Sequence, residues 1–274
     1  MPAHRRMDSR VGNGSRRMTK RLVRKSGLLS EMLVCKPVSE MLNRALSPRK
    51  ITPMQVANKK TAIYQHILER LLNRRYAFGE KILVKEISEE TGVSRQPIMT
   101  ALNSLQERGF VVITAQVGCE VVHPTRLEVD DFYQMFANNE ALIAGLAAER
   151  GSPDDVLRMS EINDKIRSIN PAHSDAADSY RNLNVEFHRV LHSMAKSPIL
   201  SSRQVANFEL SDFFIVQTCG FQVHLGAATD EHDEILAALK TRNKKAAANA
   251  AASHIHSVAK DVVSKMPEAE KLAS

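Results

Sequence analysis

Cysteine is scarce in this 274-residue sequence, which contains only Cys35, Cys119 and Cys219, far apart along the chain. A disulfide framework uses an even number of grouped cysteines, and a cysteine-rich zinc site needs cysteine pairs at short spacing. The three cysteines meet neither requirement. Their scarcity therefore argues against both kinds of stabilisation and indicates a reducing compartment, the cytoplasm.

Long apolar runs are also absent. No run approaches the ~18 residues that a membrane-spanning helix requires, and the longest candidate lies near residues 141–148. The apolar fraction of 43% and the charged fraction of 25% are ordinary for a globular protein. We therefore expect no membrane partner, and the length allows one large domain or two modest ones.

Acidic residues are nearly missing from the N-terminal part of the chain. Residues 1–60 hold fifteen Lys or Arg and three Asp or Glu, a net charge of +12, whereas the remainder has a net charge of −5. This composition, without sustained apolar periodicity, predicts a mostly disordered tail with one helical stretch near residues 28–45. Three interpretations stay open: a solvated tail without a specific role, non-specific attraction to DNA phosphates, or a targeting peptide.

Regular patterns begin at residue 61. Apolar spacing predicts a first helix that ends near residues 74–75, a second over residues 83–90 and a third over residues 94–108. In the third helix, Ser94 is placed to cap the N-terminus, and a buried stripe recurs at i, i+3, i+4 and i+7: Ile98, Ala101, Leu102 and Leu105. Two β-favouring runs, 111–114 and 119–122, then predict a hairpin. Three helices and a hairpin are typical of a winged helix-turn-helix, whose last helix enters the DNA major groove.

The remainder of the chain has helical patterns and no comparable strand pattern. Helices are predicted at about residues 127–150, 153–169, 175–195, 199–219, 229–241 and 244–265. We therefore predict a mostly α protein. Its expected parts are a basic, disordered tail at 1–56, a winged helix-turn-helix at 57–123, an all-α bundle at 124–267 and a short tail at 268–274.

Several motifs resemble one known family in their order and spacing. They are Phe78-Gly79-Glu80, Gly92-Val93-Ser94-Arg95 and Ala101-Leu102, then Glu140-Ala141-Leu142, Phe187-His188-Arg189-Val190-Leu191 and Glu231-His232-Asp233-Glu234. Over about residues 61–265 the chain resembles the GntR family of bacterial transcriptional regulators with an all-α FCD effector domain. The resemblance implies a cytoplasmic, bacterial, dimeric regulator that binds a near-palindromic operator in double-stranded DNA.

The resemblance also implies which residues contact DNA. They are Lys85, Ser94, Arg95 and Gln96, with Gly118 at the tip of the wing. Lys85 and Ser94 are expected to bind phosphates, and Arg95 to read a guanine edge with its planar fork. The family's usual Arg-Glu pair is Met99-Thr100 here, so one phosphate contact is missing. We hypothesise that the basic tail compensates for it.

A further implication of the resemblance is a divalent metal site. In the FCD domain, an Asp or Asn, a His four residues later and two more His converge on a metal, and Asn184, His188, His232 and His254 fall on those positions. Three imidazoles and one oxygen suit Zn²⁺ best among the candidates, which include Ni²⁺, Mn²⁺ and Fe²⁺. Asn in place of the usual Asp removes a negative charge, which is expected to weaken metal binding.

The expected function is DNA binding controlled by a small effector, an organic acid whose oxygens complete the coordination of the metal. Phe136 replaces an Arg that the family commonly has in the pocket, which favours a less acidic or more apolar ligand. No catalytic residue is predicted, and the chain is expected not to be an enzyme. Two alternatives stay open: an HD-like phosphohydrolase, suggested by His232-Asp233, and a regulator whose signal is the metal itself.

Overall fold

A computed structural model describes residues 56–266, with side chains from residue 61 onward. The predicted tails and the predicted helical stretch near residues 28–45 therefore lie outside the described residues. The described chain begins with three helices, α1 (Val56–Leu72), α2 (Val84–Thr91) and α3 (Arg95–Glu107). Arg70 of α1 forms ion pairs with Glu86 and Glu90 of α2, which fix the two helices against each other.

The wing is a small antiparallel sheet. Strand β1 (Lys81–Ile82) lies between α1 and α2, and strands β2 (Val111–Thr114) and β3 (Gly118–Val121) follow α3. The order of strands is β1-β3-β2, with Ile82 opposite Cys119 and Ile113 opposite the same cysteine on the other side. The β2–β3 hairpin lies within one residue of the prediction. The sequence analysis missed β1, which is too short to show an alternating pattern.

The buried stripe of α3 forms the centre of the N-terminal core. The four predicted residues, Ile98, Ala101, Leu102 and Leu105, are all buried. Met99, on the same helix, is half-buried and also packs against this core. Gly92 ends α2 with φ at 67°, a left-handed conformation that costs glycine little.

The C-terminal part is a bundle of six helices joined by short connections. They are α4 (Arg126–Arg150), α5 (Pro153–Arg167), α6 (Ala176–Met194), α7 (Pro198–Gln217), α8 (Ala227–Lys240) and α9 (Lys244–Lys265), with a 3-10 turn at Phe221–His224. Thr125 and Ser152 begin α4 and α5 with capping boxes, which satisfy free backbone N–H groups. A winged helix-turn-helix followed by an all-α bundle confirms the predicted fold class. None of the described helices has the length and apolar content of a membrane span.

Helix α7 joins the bundle to the N-terminal region. Glu209 on α7 forms an ion pair with Arg108, the residue directly after α3. The Arg108 guanidinium also donates to the Tyr64 hydroxyl on α1 at 2.5 Å. Farther along α7, Phe213 packs edge-on against Phe110 with ring centres 5.5 Å apart. The winged helix-turn-helix is therefore held against the bundle mainly through α7.

Candidate metal centre and nucleic-acid interface

Three histidines from three different helices meet inside the bundle. His188 lies on α6, His232 on α8 and His254 on α9, and all three side chains are buried. One nitrogen of each ring lies within 4.8 Å of those of the other two. Nε2 of His188 is 3.3 Å from Nε2 of His254, and Nε2 of His232 has no hydrogen-bond partner. The structure thus brings together the three histidines that the resemblance singles out.

The opposite nitrogen of each ring is bound by an oxygen. Glu140 Oε1 lies 2.9 Å from Nδ1 of His188, and Glu231 Oε2 lies 2.7 Å from Nδ1 of His254. Asn163 Oδ1 lies 3.1 Å from Nδ1 of His232, while the amide nitrogen of Asn163 donates to Thr229 O and Asp233 Oδ1. Because these oxygens are acceptors, each Nδ1 carries the proton and each Nε2 presents a lone pair.

Burial keeps two of these histidines, His188 and His232, neutral. Burial lowers the pKa of His188 to about 4, although the Glu140 carboxylate opposes the shift. Burial likewise holds the pKa of His232 well below its ordinary value. Burial alone would raise the pKa of Glu140, but the His192 and His188 rings beside it hold that pKa below its usual value. His188 and His232 are therefore neutral, the form of histidine that binds metals.

Asn184 supplies an oxygen without a partner next to this cluster. Its Oδ1 is buried and makes no hydrogen bond, and it lies one helical turn before His188 on α6. Asn184, His254 and Phe136 line the same cavity, which measures about 20 Å³. A buried polar atom without a partner is costly. The orphaned oxygen and the three Nε2 lone pairs form a donor set that fits a divalent metal such as Zn²⁺.

Sequence reasoning missed the residues that support this cluster. Glu140 is fully buried and contacts both His188 and His192, the latter at 3.0 Å from Oε2, and it accepts from Gln204 Nε2 at 2.7 Å. His192 is itself buried, so it belongs to the interior of the bundle. His256 on α9 is exposed. The missed signal was a carboxylate on the apolar face of α4, between Phe136 and Ala144.

The two residues of the His232-Asp233 dipeptide, which suggested a hydrolase, contact different groups. His232 faces the histidine cluster, but the Asp233 carboxylate binds Arg167 at 2.6 Å and the Asn163 amide at 2.9 Å. Within the described part of the chain, the cluster around His232 consists of histidines, and Asp233 does not join it as the HD pattern requires. Asp261, another carboxylate near the end of the chain, lies 3.3 Å from His224.

The predicted DNA-contacting residues lie around the start of α3. Arg95 and Gln96 occupy its first turn and are exposed. Ser94 stands at the N-cap position, but its side chain makes no capping hydrogen bond, so the predicted capping role is wrong. Lys85 on α2 is 86% exposed and lies 3.8 Å from Glu89. Gly118 begins β3 at the wing turn, exposed and with φ at 135°.

Comparisons with known proteins agree with this architecture. A family model described as "Bacterial regulatory proteins, gntR family" matches residues 59–121, and an FCD domain model matches residues 131–257. YdhC of Bacillus subtilis (strain 168), an uncharacterized HTH-type transcriptional regulator, is 21% identical over 194 residues, which are 70% of this chain and 86% of the relative.

Solved structures share the fold at low sequence identity. E. coli McbR/YncC has a TM-score of 0.60 and 17% identity, covering 73% of this chain and 94% of its own. A putative GntR transcriptional regulator from Rhodococcus sp. RHA1 also has a TM-score of 0.60, at 16% identity. The match covers 76% of this chain and 98% of that regulator's chain. With both family models matched in order, this chain belongs to the GntR family of bacterial regulatory proteins and is a transcriptional regulator with an FCD effector domain.

Proposed function

We propose that this regulator binds a near-palindromic operator as a homodimer, and that a small carboxylate held at a divalent metal in the FCD domain changes its operator affinity. One observation carries the effector half of the proposal. The Nε2 atoms of His188, His232 and His254 converge while each Nδ1 is bound by an oxygen. Converging lone pairs in a dry interior repel one another unless a cation lies among them.

The metal would be held by His188, His232, His254 and the Oδ1 of Asn184. When bound, it offers open coordination positions to the oxygens of a carboxylate ligand. The remaining walls of the adjoining cavity are largely apolar, and they include Phe136 and Phe208. This lining favours an effector with one carboxylate and an apolar body over a highly charged acid. The cavity measures only about 20 Å³, so such an effector must widen it on binding.

On the DNA side, each subunit would place α3 in the major groove of one half-site. Arg95 is exposed at the first turn, where its guanidinium can reach O6 and N7 of a guanine. Gln96 lies beside it, while Lys85, Ser94 and the backbone at Gly118 are placed to bind phosphates. The free Ser94 hydroxyl supports this role, since no capping bond occupies it.

Helix α7 gives the two regions a physical connection. Its Phe208 ring lies 4.6 Å from the His188 ring, and its Gln204 binds Glu140. Glu209, which directly follows Phe208, pairs with Arg108 at the end of α3. A ligand that repositions α7 at Phe208 would therefore also move the contact to the DNA-binding region. Such a ligand controls operator affinity only if it binds the two arrangements unequally.

The test is a thermal-shift screen of monocarboxylic, dicarboxylic and sugar acids on the full chain, with and without Zn²⁺. The proposal predicts an acid that raises the melting temperature only in the presence of metal. Occupancy at 100 times Kd stabilises by about 2.7 kcal/mol, which corresponds to about 5–10 °C for a domain of this size. The response should vanish in His254→Ala and persist in His256→Ala, which changes an exposed histidine on the same helix.

The outcomes of this screen separate the alternatives. An acid that stabilises wild type and His254→Ala equally would contradict the metal-held carboxylate. Stabilisation by metal alone, with operator binding that responds to metal and to no acid, would instead support a metal sensor.

A further inference from the structure

A thiol, an imidazole and a carboxylate lie in sequence where α7 ends. Sγ of Cys219 is 3.6 Å from Nε2 of His224, and Nδ1 of His224 is 3.3 Å from Oδ2 of Asp261. None of the three belongs to the donor set of the metal centre. Cys119, the other cysteine within the described residues, is buried in β3.

Three different elements hold this array. Cys219 follows the C-terminus of α7, His224 closes the 3-10 turn, and Asp261 lies on the last helix, α9. His224 is buried, Cys219 is half-buried and the Asp261 side chain is 45% exposed. Because Cys219 is not fully buried, a small reagent can approach this residue from solvent.

The chemistry of the array is that of a base-assisted nucleophile. A nucleophile within hydrogen-bonding reach of a base, with the base oriented by a third group, is the signature of nucleophilic activation. The Asp261 carboxylate favours a proton on Nδ1 of His224, which leaves Nε2 free to accept the thiol proton. Burial lowers the pKa of His224, so the ring is neutral and its Nε2 is available to accept a proton. Burial raises the pKa of Cys219, so the thiol needs this base in order to react.

We propose that Cys219 is a modification site for small α,β-unsaturated carbonyl compounds, with His224 as the base and Asp261 as its positioning residue. Sγ bonds to the β-carbon while its proton passes to Nε2 of His224. The electron pair of the carbon–carbon double bond moves toward the carbonyl as an enolate, and the imidazolium returns the proton to the α-carbon. The product is a thioether, and the addition needs no oxidant or other reactant.

The position of Cys219 places such an adduct beside a contact with the DNA-binding region. Two residues earlier, the Gln217 side chain donates to the backbone oxygen of Tyr76 at 2.8 Å. An adduct on Sγ thus lies next to the end of α7 that holds the N-terminal region.

The test uses N-ethylmaleimide on the full chain, with the rate of modification of each cysteine followed by peptide mass spectrometry. Cys219 should react at least about tenfold faster than Cys119, and His224→Gln should slow Cys219 by at least about tenfold. Asp261→Asn should slow it several-fold. His256→Gln should leave it unchanged, and every variant should leave the rate at Cys119 unchanged.

A Cys219 rate within twofold of wild type in His224→Gln would overturn the proposal. If His224→Gln loses its helical circular dichroism, the Asp261→Asn variant becomes the test, because the partly exposed Asp261 side chain can be exchanged without disturbing the core. An unchanged rate at Cys219 in a folded Asp261→Asn variant then refutes the proposed activation of Cys219.

Discussion

Nε2 of His188 and Nε2 of His254 lie 3.3 Å apart, and each ring has its Nδ1 bound to a carboxylate, from Glu140 and Glu231 respectively. With each Nδ1 donating to a carboxylate, the two rings point their Nε2 lone pairs at each other. The arrangement is stable when a cation accepts both pairs, and carboxylates behind the rings strengthen that bond by making the imidazoles better donors. Two nearby carboxylates also compensate for the charge that is lost because Asn184 is not an aspartate.

Glu140→Gln is expected to lower metal affinity by about 10–100-fold, the usual effect of losing a carboxylate behind a metal-binding histidine. Glutamine retains the shape and an acceptor oxygen, so the fold should persist. The measurement is the Zn²⁺ dissociation constant by competition with a chelator. Glu149→Gln is the matched control on α4, since Glu149 lies on the surface beside Lys244. Equal constants for both variants would show that Glu140 is structural only.

The metal-free protein should lose stability as the pH falls from about 6.5 toward 4. Burial lowers the pKa of His188 to about 4, so the unfolded chain binds a proton in this window and the folded chain does not. The stabilising contribution is fully present above pH 6.5, and about 3 kcal/mol of it is lost on the way to pH 4. Urea unfolding in EDTA measures this loss. A free energy of unfolding that stays constant across this pH window would contradict a neutral His188 in a dry centre. As a control, exchange of the exposed His173 should leave the pH dependence of the free energy of unfolding unchanged.

The Arg108–Glu209 pair is expected to couple the DNA-binding region to α7. Both side chains are about 30% exposed (32% and 26%), so a double-mutant cycle should give a coupling free energy of about 1 kcal/mol. The more exposed pair Arg158–Glu186 is the control and should give a value near zero. Arg108→Ala should also reduce the effect of an effector on operator affinity. Unaltered transmission in that variant would place the coupling elsewhere.

Arg95→Ala and Lys85→Ala should have different effects on DNA binding. Loss of Arg95 should cost about 1–3 kcal/mol and relax preference at one base pair. Loss of Lys85 should weaken binding to all DNA sequences alike. It should also reduce the slope of log K against log salt concentration by about 0.9. Binding to operators selected from random duplex DNA measures both effects. The control is Lys260→Ala, which changes an exposed residue of α9. Identical profiles for Arg95→Ala and Lys85→Ala would contradict the assigned roles.

The sequence was sufficient for the helices and insufficient for the contacts between them. Amphipathic spacing and terminal Gly or Pro residues placed all six bundle helices within about two residues of their observed ends, because these signals are local. The pair Lys81–Ile82 has too few residues to show a period, so β1 was missed.

The supports of the candidate site were harder to foresee. Asn163, Glu140 and Glu231 come from three different helices, and only the packing brings each one to its histidine. The same holds for Glu209 and Arg108, which are 101 residues apart in the chain. Periodicity identifies the buried face of a helix, but it does not identify the residue on another helix that lies opposite.

The most direct test of the metal centre is the number of Zn²⁺ ions bound per chain after dialysis against buffered Zn²⁺, measured by elemental analysis. We expect about one ion per chain in wild type and in His256→Ala, and close to none in His254→Ala, because removal of one of three converging imidazoles opens the donor set. Equal zinc content in all three folded proteins would contradict a metal held by His188, His232 and His254.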